Sequence, residues 1–213
     1  MRLFKSLLFV LFIIISVSWF TRQGWWKKFG ADHISAVHTG QVVKKSVTAK
    51  LKRKVAEARS FAAANKYNDH ICFLIDMSLP SGQNRFFIYD LKKDSLKNAG
   101  LVAHGNCFQN WLEGRRYSNE VGCGCTSLGK YKIGYPYTGR FGYSYKLYGL
   151  DSSNSNAFER TVVLHSYASV PDSPVTDDIC QSNGCPMVSP AFLEVLKPVI
   201  NHSDKPVLLW IFE

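Results

Sequence analysis

The sequence predicts a mainly β domain of the sandwich or barrel type with a few helices, preceded by an N-terminal helix. The chain has 213 residues, enough for one domain with a substantial core and a short extension. Its 46% hydrophobic and 20% charged residues are typical of an ordinary globular protein. From residue 70 onward, short apolar runs alternate with clusters of Gly, Pro, Ser, Asn and Asp, the pattern of strands joined by turns.

Seven such runs are the predicted strands. They read ICFLIDMS, RFFIYDL, GLVAH, SLGKYKIG, YSYKLYGL, RTVVLHS and PVLLWIF, at residues 71–78, 85–91, 100–104, 127–134, 143–150, 160–166 and 206–212. Aromatic residues make up 14% of the chain, which suits β-rich packing or a carbohydrate-like ligand surface.

Two segments have helical signals. Residues 41–66 carry apolar side chains at near-helical spacing, with Ala between them, and predict the helix that precedes the strands. Near the C-terminus, Ser189 can cap a helix whose first position is Pro190, and that helix is expected to end near Pro198.

The first residues have the features of a targeting signal. Arg2 and Lys5 precede an almost wholly apolar stretch, Leu7–Phe20, which is shorter than the ~20 residues of a comfortable membrane span. We therefore predict a signal peptide or an uncleaved signal-anchor over residues 1–26, then a basic linker and helix over 27–64 and the main domain over 65–213. Both alternatives export the rest of the chain.

The formal net charge is +10, and much of it lies before residue 60. Such a basic run usually suggests nucleic acid, but an exported protein would instead meet an anionic membrane surface or a cell-wall polymer. A solvated helix face is the third interpretation. We expect no nucleic-acid partner.

The segment DDICQSNGCPMVSP, residues 177–190, holds the candidate nucleophile. Pro186 favours an extended conformation for Cys185, and Gly184 has no side chain, so a substrate carbonyl could approach the backbone closely. The amides of Gly184 and Cys185 are then the candidate donors of an oxyanion hole. A thiol attacks as a thiolate and needs a base or a positive field nearby.

His165 is the candidate base. It closes the predicted strand RTVVLHS and shares one strand face with Thr161 and Val163. A histidine at the end of an apolar strand can point from a sheet into a cleft. A structural histidine would be the simpler interpretation if His165 stood alone.

The combination of HS, a loop and SNGCPMVSP resembles the signature of the murein L,D-transpeptidase (YkuD-like) family. The resemblance extends upstream over roughly residues 65–200, through FLIDMSLPSGQNRFFIYDL, LVAHG, YSNEVG, TSLGKYKIG, YTGRFGYSYKLYGL and NSNAFERTVVLHS, in the family branch's order and spacing. It implies an L,D-transpeptidase-type β domain that acts on peptidoglycan stem peptides without a cofactor or metal.

The resemblance also implies residue roles. Cys185 would attack an L,D-peptide bond of a donor stem peptide, and His165 would take the thiol proton and later protonate the leaving amine. Ser166 would hold the imidazole through its backbone carbonyl. The amine of an acceptor stem peptide would resolve the thioester, and carbapenems would acylate the cysteine.

Five further residues lie in matching motifs and are candidates for substrate contacts: Ser182, Asn183, Arg160, Asn119 and His104. The box departs from the family pattern at Asn183, where His or Trp is usual, and at Gln181, where branch members often have Arg. A structural ion pair is the alternative role for Arg160.

The remaining cysteines allow two interpretations. His104, Cys107, Cys123 and Cys125 have spacings that a zinc site could use. A disulfide from Cys107 to Cys123 or Cys125 is the better prediction in an oxidising compartment. Cys72 lies in an apolar run and is expected to be a free buried thiol.

Three functions remain open at this stage. The first is an L,D-transpeptidase exported to the bacterial envelope or periplasm. The second is an L,D-carboxypeptidase, in which water resolves the thioester formed by the same Cys-His pair. The third is a non-catalytic cell-wall-binding protein.

Overall fold

The computed structural model describes residues 49–109 and 114–213. The predicted signal segment at 1–26 and the linker before residue 49 lie outside the described residues. In the described ranges, no helix is both long and apolar enough to cross a bilayer.

The described residues form one eight-stranded sheet, which confirms the mainly β prediction. Its strands are β1 (Ile71–Asp76), β2 (Phe86–Asp90), β3 (Ser95–Gly100), β4 (Gly129–Gly139), β5 (Gly142–Gly149), β6 (Val163–Ser166), β7 (Met187–Val188) and β8 (Leu208–Phe212). Their order in the sheet is β3-β2-β1-β8-β4-β5-β6-β7. Two neighbouring pairs, β1–β8 and β6–β7, are parallel, and the others are antiparallel.

Two helices cover opposite faces of the sheet: α1 (Ala49–Ala64) and α2 (Pro190–Asn201). The two faces carry separate apolar clusters. Alternate residues of β1 belong to different clusters, because successive side chains of a strand point to opposite faces. Phe73 and Ile75 belong to the larger apolar cluster, which includes residues of α2. Cys72 and Leu74 belong to the second cluster, which includes residues of α1. Burial on both faces explains why β1 reads as a continuous apolar run.

The polar face of α1 explains part of the basic run in the sequence. Lys50 Nζ lies 3.0 Å from Asp76 Oδ1, and Arg59 Nη2 lies 2.6 Å from Asp94 Oδ1. The opposite face of α1 packs on the sheet through four buried side chains, Leu51, Val55, Ala58 and Ala62.

The cap predicted for α2 is present, but the predicted end of that helix is wrong. Ser189 Oγ accepts a hydrogen bond from the Phe192 N–H at 3.1 Å, as an N-cap does. The helix continues through Pro198 to Asn201. Val199 and Ile200 pack against the apolar core, and this packing offsets the hydrogen bond that a proline cannot donate.

One predicted strand is misplaced and one strand was missed. The run GLVAH does not form a regular strand: Gly100 ends β3, and of residues 101–104 only Ala103 forms a bridge, an isolated one with Met187. β3 reads SLKNAG, and as a largely exposed edge strand it lacks an apolar pattern. β7 has only two residues, too few to give a periodic signal.

Candidate active site

The Cys185 box lies between two extended segments. On one side, β6 pairs in parallel with β7, with His165 opposite Met187. On the other side, Ala103 forms an antiparallel bridge with the same Met187, and Gly105 forms a parallel bridge with Ser182. Both ends of the box are therefore held by the segment at residues 103–106, and the nucleophile candidate lies in the turn between them.

The thiol of Cys185 is packed against β6. Its Sγ accepts a hydrogen bond from the Val163 N–H at 3.5 Å. Burial raises the pKa of the Cys185 thiol, while the Val163 N–H and the positive charge of Arg160 lower it. Among the described residues, Sγ makes no hydrogen bond to the His165 imidazole. The thiol is therefore protonated at neutral pH in this arrangement.

His165 lies on the same strand, and its imidazole is 2% exposed. Its Nδ1 lies 3.0 Å from the Ser166 carbonyl oxygen, and since a carbonyl only accepts, Nδ1 carries the proton. Burial lowers the pKa of His165, and the hydrogen bond to Ser166 opposes that effect. The imidazole is thus neutral at pH 7, with Nε2 available to accept a proton. The ring of Phe141 stacks on the imidazole at a centroid distance of 4.4 Å.

Gly184 is required for a reason other than the one expected from the sequence. Its φ is +112°, and an added Cβ would lie 2.9 Å from the Cys125 carbonyl oxygen and 3.3 Å from Arg160 Nη2. The protein itself, rather than a substrate carbonyl, occupies the space beside this glycine. Its N–H donates to Ser182 Oγ at 3.1 Å, so this amide is already engaged.

The two predicted substrate contacts inside the box differ in exposure. Ser182 is buried and its backbone is bonded on both sides, with its N–H donating to the His104 carbonyl at 2.8 Å and its carbonyl accepting from the Asn106 N–H at 2.8 Å. These contacts give Ser182 a supporting place in the fold. Asn183 is exposed next to Gly184, where its side chain can meet a ligand.

Two other predicted substrate contacts are bound to the protein's own backbone. Arg160 donates to the Ser118 carbonyl at 2.8 Å, to Ser127 Oγ at 3.1 Å and to the Cys125 carbonyl. An ion pair was the alternative role considered for Arg160, but in the part of the chain that is described it makes none. Asn119 Nδ2 donates to the Ser152 carbonyl, in the short 3-10 helix Ser152–Asn154, at 3.1 Å. It also donates to Ser155 Oγ, just after that helix, at 3.0 Å.

His104, the last predicted substrate contact, is buried behind the box. Arg85 Nη2 donates to His104 Nδ1 at 3.0 Å, and the Arg85 guanidinium also donates to the Val102 carbonyl. Burial, followed by the nearby charge of Arg85, lowers the pKa of His104 to about 4. Burial lowers the pKa of Arg85 to about 10, so the guanidinium remains charged at neutral pH while His104 is neutral.

The cysteines form one of the two predicted disulfides. Cys107 and Cys125 form a disulfide, which removes two of the four possible zinc ligands. In residues 49–109 and 114–213, no three His, Cys, Asp or Glu side chains are grouped closely enough to hold a metal ion. Cys72 is a free buried thiol, as predicted, and Cys123, Cys180 and Cys185 are also unbridged.

Three residues of the site were not found by sequence reasoning. Arg85 begins the run RFFIYDL, and nothing in that run indicates complete burial of a guanidinium. Thr126 Oγ1 accepts from the Gly105 N–H at 2.8 Å and donates to the Gly184 carbonyl at 3.3 Å. Phe141 lies in the turn between β4 and β5. Their roles depend on contacts between distant parts of the chain, which no local pattern records.

The fold and the site define a mainly β domain in which the strand that carries a buried histidine pairs with the strand that directly follows a cysteine box. Residues 42–212 match the family model described as the L,D-transpeptidase catalytic domain, of the YkuD type. The chain therefore belongs to the L,D-transpeptidase catalytic domain family. Comparison with curated proteins gives no match.

Solved structures with a similar fold include three from bacteria. The helical cell shape determining protein Pgp2 of Campylobacter jejuni is 15% identical, with a TM-score of 0.43, over 76% of this chain and 56% of that chain. An L,D-transpeptidase of Xylanimonas cellulosilytica is 14% identical, with a TM-score of 0.38, over 72% and 68%. An L,D-transpeptidase of Stackebrandtia nassauensis is 12% identical, with a TM-score of 0.39, over 82% and 68%. The chain thus spans little more than half the length of Pgp2.

Proposed function

We propose that this protein is a peptidoglycan L,D-transpeptidase that cross-links stem peptides through a thioester on Cys185. The proposal is supported by membership of the catalytic domain family. The observation that carries it is the pairing of β6 with β7, which sets the strand of His165 alongside the Cys185 box. A half-buried cysteine followed by proline, on a segment that pairs with the strand of a neutral imidazole, is suited to acyl transfer.

In the first half of the reaction, Nε2 of His165 takes the Cys185 proton and the thiolate attacks the carbonyl of an L,D-peptide bond in the donor stem peptide. A C–S bond forms and the C–N bond breaks. The imidazolium returns its proton to the departing amine of the terminal D-amino acid. Nδ1 keeps its proton throughout, because its bond to the Ser166 carbonyl fixes the tautomer.

In the second half, the amine of an acceptor stem peptide attacks the thioester carbonyl. A new C–N bond forms, the C–S bond breaks, and the amine proton returns to the thiolate through Nε2. The amide of Cys185 is the oxyanion donor in this scheme, since that of Gly184 already donates to Ser182 Oγ. The exposed Asn183 would contact the stem peptide beside the acyl carbon.

The scheme includes a movement before attack. Cys185 Sγ is bonded to the Val163 N–H, and Phe141 covers the imidazole. Substrate binding would displace the aromatic ring and bring the thiol to Nε2. Catalytic hydrogen bonds often tighten only in the complex with substrate.

We also propose that the chain is exported to the cell envelope by the segment at residues 1–26. A short positive start followed by an apolar stretch has the features of a secretory signal. The Cys107–Cys125 disulfide is consistent with an oxidising compartment.

Incubation of the purified full-length protein with tetrapeptide muropeptides tests the function. Cross-linked dimers are expected, and they should vanish in Cys185→Ala but persist in Cys180→Ala, a matched change of another half-buried free cysteine. Tripeptide monomers without dimers would identify an L,D-carboxypeptidase. Retention of wall binding without any product in the wild type would identify a non-catalytic binding protein.

A further inference from the structure

The guanidinium of Arg160 is a positive charge directly behind the Cys185 turn. Its hydrogen bonds go to neutral oxygens, the carbonyls of Ser118 and Cys125 and the hydroxyl of Ser127. Across residues 49–109 and 114–213, no carboxylate lies within ion-pair distance of Arg160. Its charge is therefore oriented by dipoles but is not neutralised by an acid.

The carbonyl that orients Arg160 is held by a covalent frame. Cys125 is bonded to Cys107 by the disulfide, and the Cys107 N–H donates to the Gly124 carbonyl at 3.1 Å. The guanidinium is thereby fixed against the turn that contains Gly184 and Cys185. An added Cβ on Gly184 would lie 3.3 Å from Arg160 Nη2. The residue after Gly184 is Cys185.

Three titratable or charged groups lie on the elements packed around the thiol. Tyr131 on β4 is neutral at physiological pH, since burial raises its pKa to about 12, and its hydroxyl is bonded to Ser127. His165 on β6 is neutral, because burial lowers its pKa. Arg160, just before β6, is the one permanent charge of the three. A buried thiolate is unfavourable unless a positive charge lies close to it.

We propose that Arg160 stabilises the thiolate of Cys185 and so acts as a second activating residue beside His165. This inference rests on the proposed nucleophilic role of Cys185. It assigns Arg160 to the nucleophile rather than to a stem-peptide carboxylate, because all the contacts of its guanidinium point into the protein wall. The disulfide then supports the site by fixing the carbonyl that orients this charge.

The test is the pH dependence of Cys185 alkylation by iodoacetamide, followed by site-resolved mass spectrometry of the full-length protein. Iodoacetamide reacts with the thiolate, so the alkylation rate measures the fraction of Cys185 that is deprotonated. No peptidoglycan substrate is needed. In Arg160→Gln, the midpoint of the profile should rise by about one pH unit, so that alkylation at neutral pH slows about tenfold and recovers at high pH. Arg160→Lys keeps the charge and should retain a midpoint near that of the wild type.

Two further variants make the result decisive. Arg53→Gln removes the same charge from the exposed face of α1 and should leave the profile unchanged. Arg160→Met is the second neutral variant, to be used if the Gln variant does not fold. A folded neutral variant with the wild-type midpoint would overturn the inference, as would an equal slowing of all Arg160 variants at every pH. If the wild type shows normal Cys185 alkylation but forms no muropeptide product, the proposed function fails, and the midpoints of the Arg160 variants still decide the inference about Arg160.

Discussion

The two flanks of the Cys185 box differ in what they offer to chemistry. On the β6 flank, a backbone N–H contacts the thiol and an imidazole nitrogen is left to accept a proton. On the flank at residues 103–106, the backbone bonds of His104 and Asn106 hold Ser182, and the His104 side chain is fixed by Arg85. One flank carries the proposed reactive groups and the other supports them.

The two flanks each carry a histidine, His165 and His104, and both are almost fully buried. His165 is 2% exposed and His104 is 4% exposed. His165 donates through Nδ1 to a carbonyl, whereas His104 accepts through Nδ1 from the Arg85 guanidinium. Burial alone therefore does not distinguish a base from a structural histidine. The proposed base His165 and the supporting His104 differ instead in the direction of the hydrogen bond at Nδ1.

The largest expected effect comes from removing the proposed base on the β6 flank. His165→Gln should slow acylation of Cys185 by a carbapenem about 10²–10⁴-fold, the usual contribution of a general base. Stopped-flow or mass-spectrometric acylation rates give the measurement. His104→Gln is the matched control on the other flank and should slow acylation far less. Equal losses in the two variants would remove the distinction between the flanks.

The sheet was largely predictable from the sequence, because burial of a strand leaves a local pattern. β1 and β8 are buried apolar runs bounded by turn residues, and both were predicted within a few residues of their ends. β3 was not predictable, since an exposed edge strand needs no apolar alternation. The path of α2 past Pro198 depends on tertiary packing, which overrides the local signal of a proline.

The candidate site was predictable only in part. The motif identified Cys185 and His165 as the residues to examine, and the structure places their segments on neighbouring strands. The interior contacts of Arg160 could not be predicted, because a motif does not say whether a guanidinium faces substrate or protein. The same holds for Phe141, whose contact with His165 joins a hairpin turn to a distant strand.

A smaller effect is expected on stability, from the supporting flank. Since the pKa of His104 is about 4 in the folded state against about 6.5 when unfolded, the unfolded chain binds more protons between these values. His104 therefore contributes stability above pH 6.5, and this contribution is lost as the pH falls towards 4. Between pH 7 and pH 4.5, the free energy of unfolding should fall by about 2 kcal/mol more in the wild type than in His104→Gln.

Urea unfolding at the two pH values measures that difference. His165 titrates in the same direction in both proteins and therefore cancels from the comparison. An identical loss of stability in the wild type and in His104→Gln would mean that His104 can be protonated in the folded state, and that the Arg85 contact does not hold it neutral.

The smallest effect is expected from Phe141→Ala, which removes the ring stacked on the proposed base but leaves His165 itself in place. Burial is the main cause of the low pKa of His165, so loss of the stacked ring should raise that pKa towards its ordinary value. The base acts in its neutral form, so the acid limb of the carbapenem acylation profile should shift to higher pH, with little change above pH 8. Phe158→Ala removes an exposed aromatic ring that stacks on Tyr148 instead, and its profile should match the wild type. A shift of the acid limb to lower pH in Phe141→Ala would show instead that the stacked ring stabilises the protonated imidazole, and that its exclusion of water is not what sets the pKa.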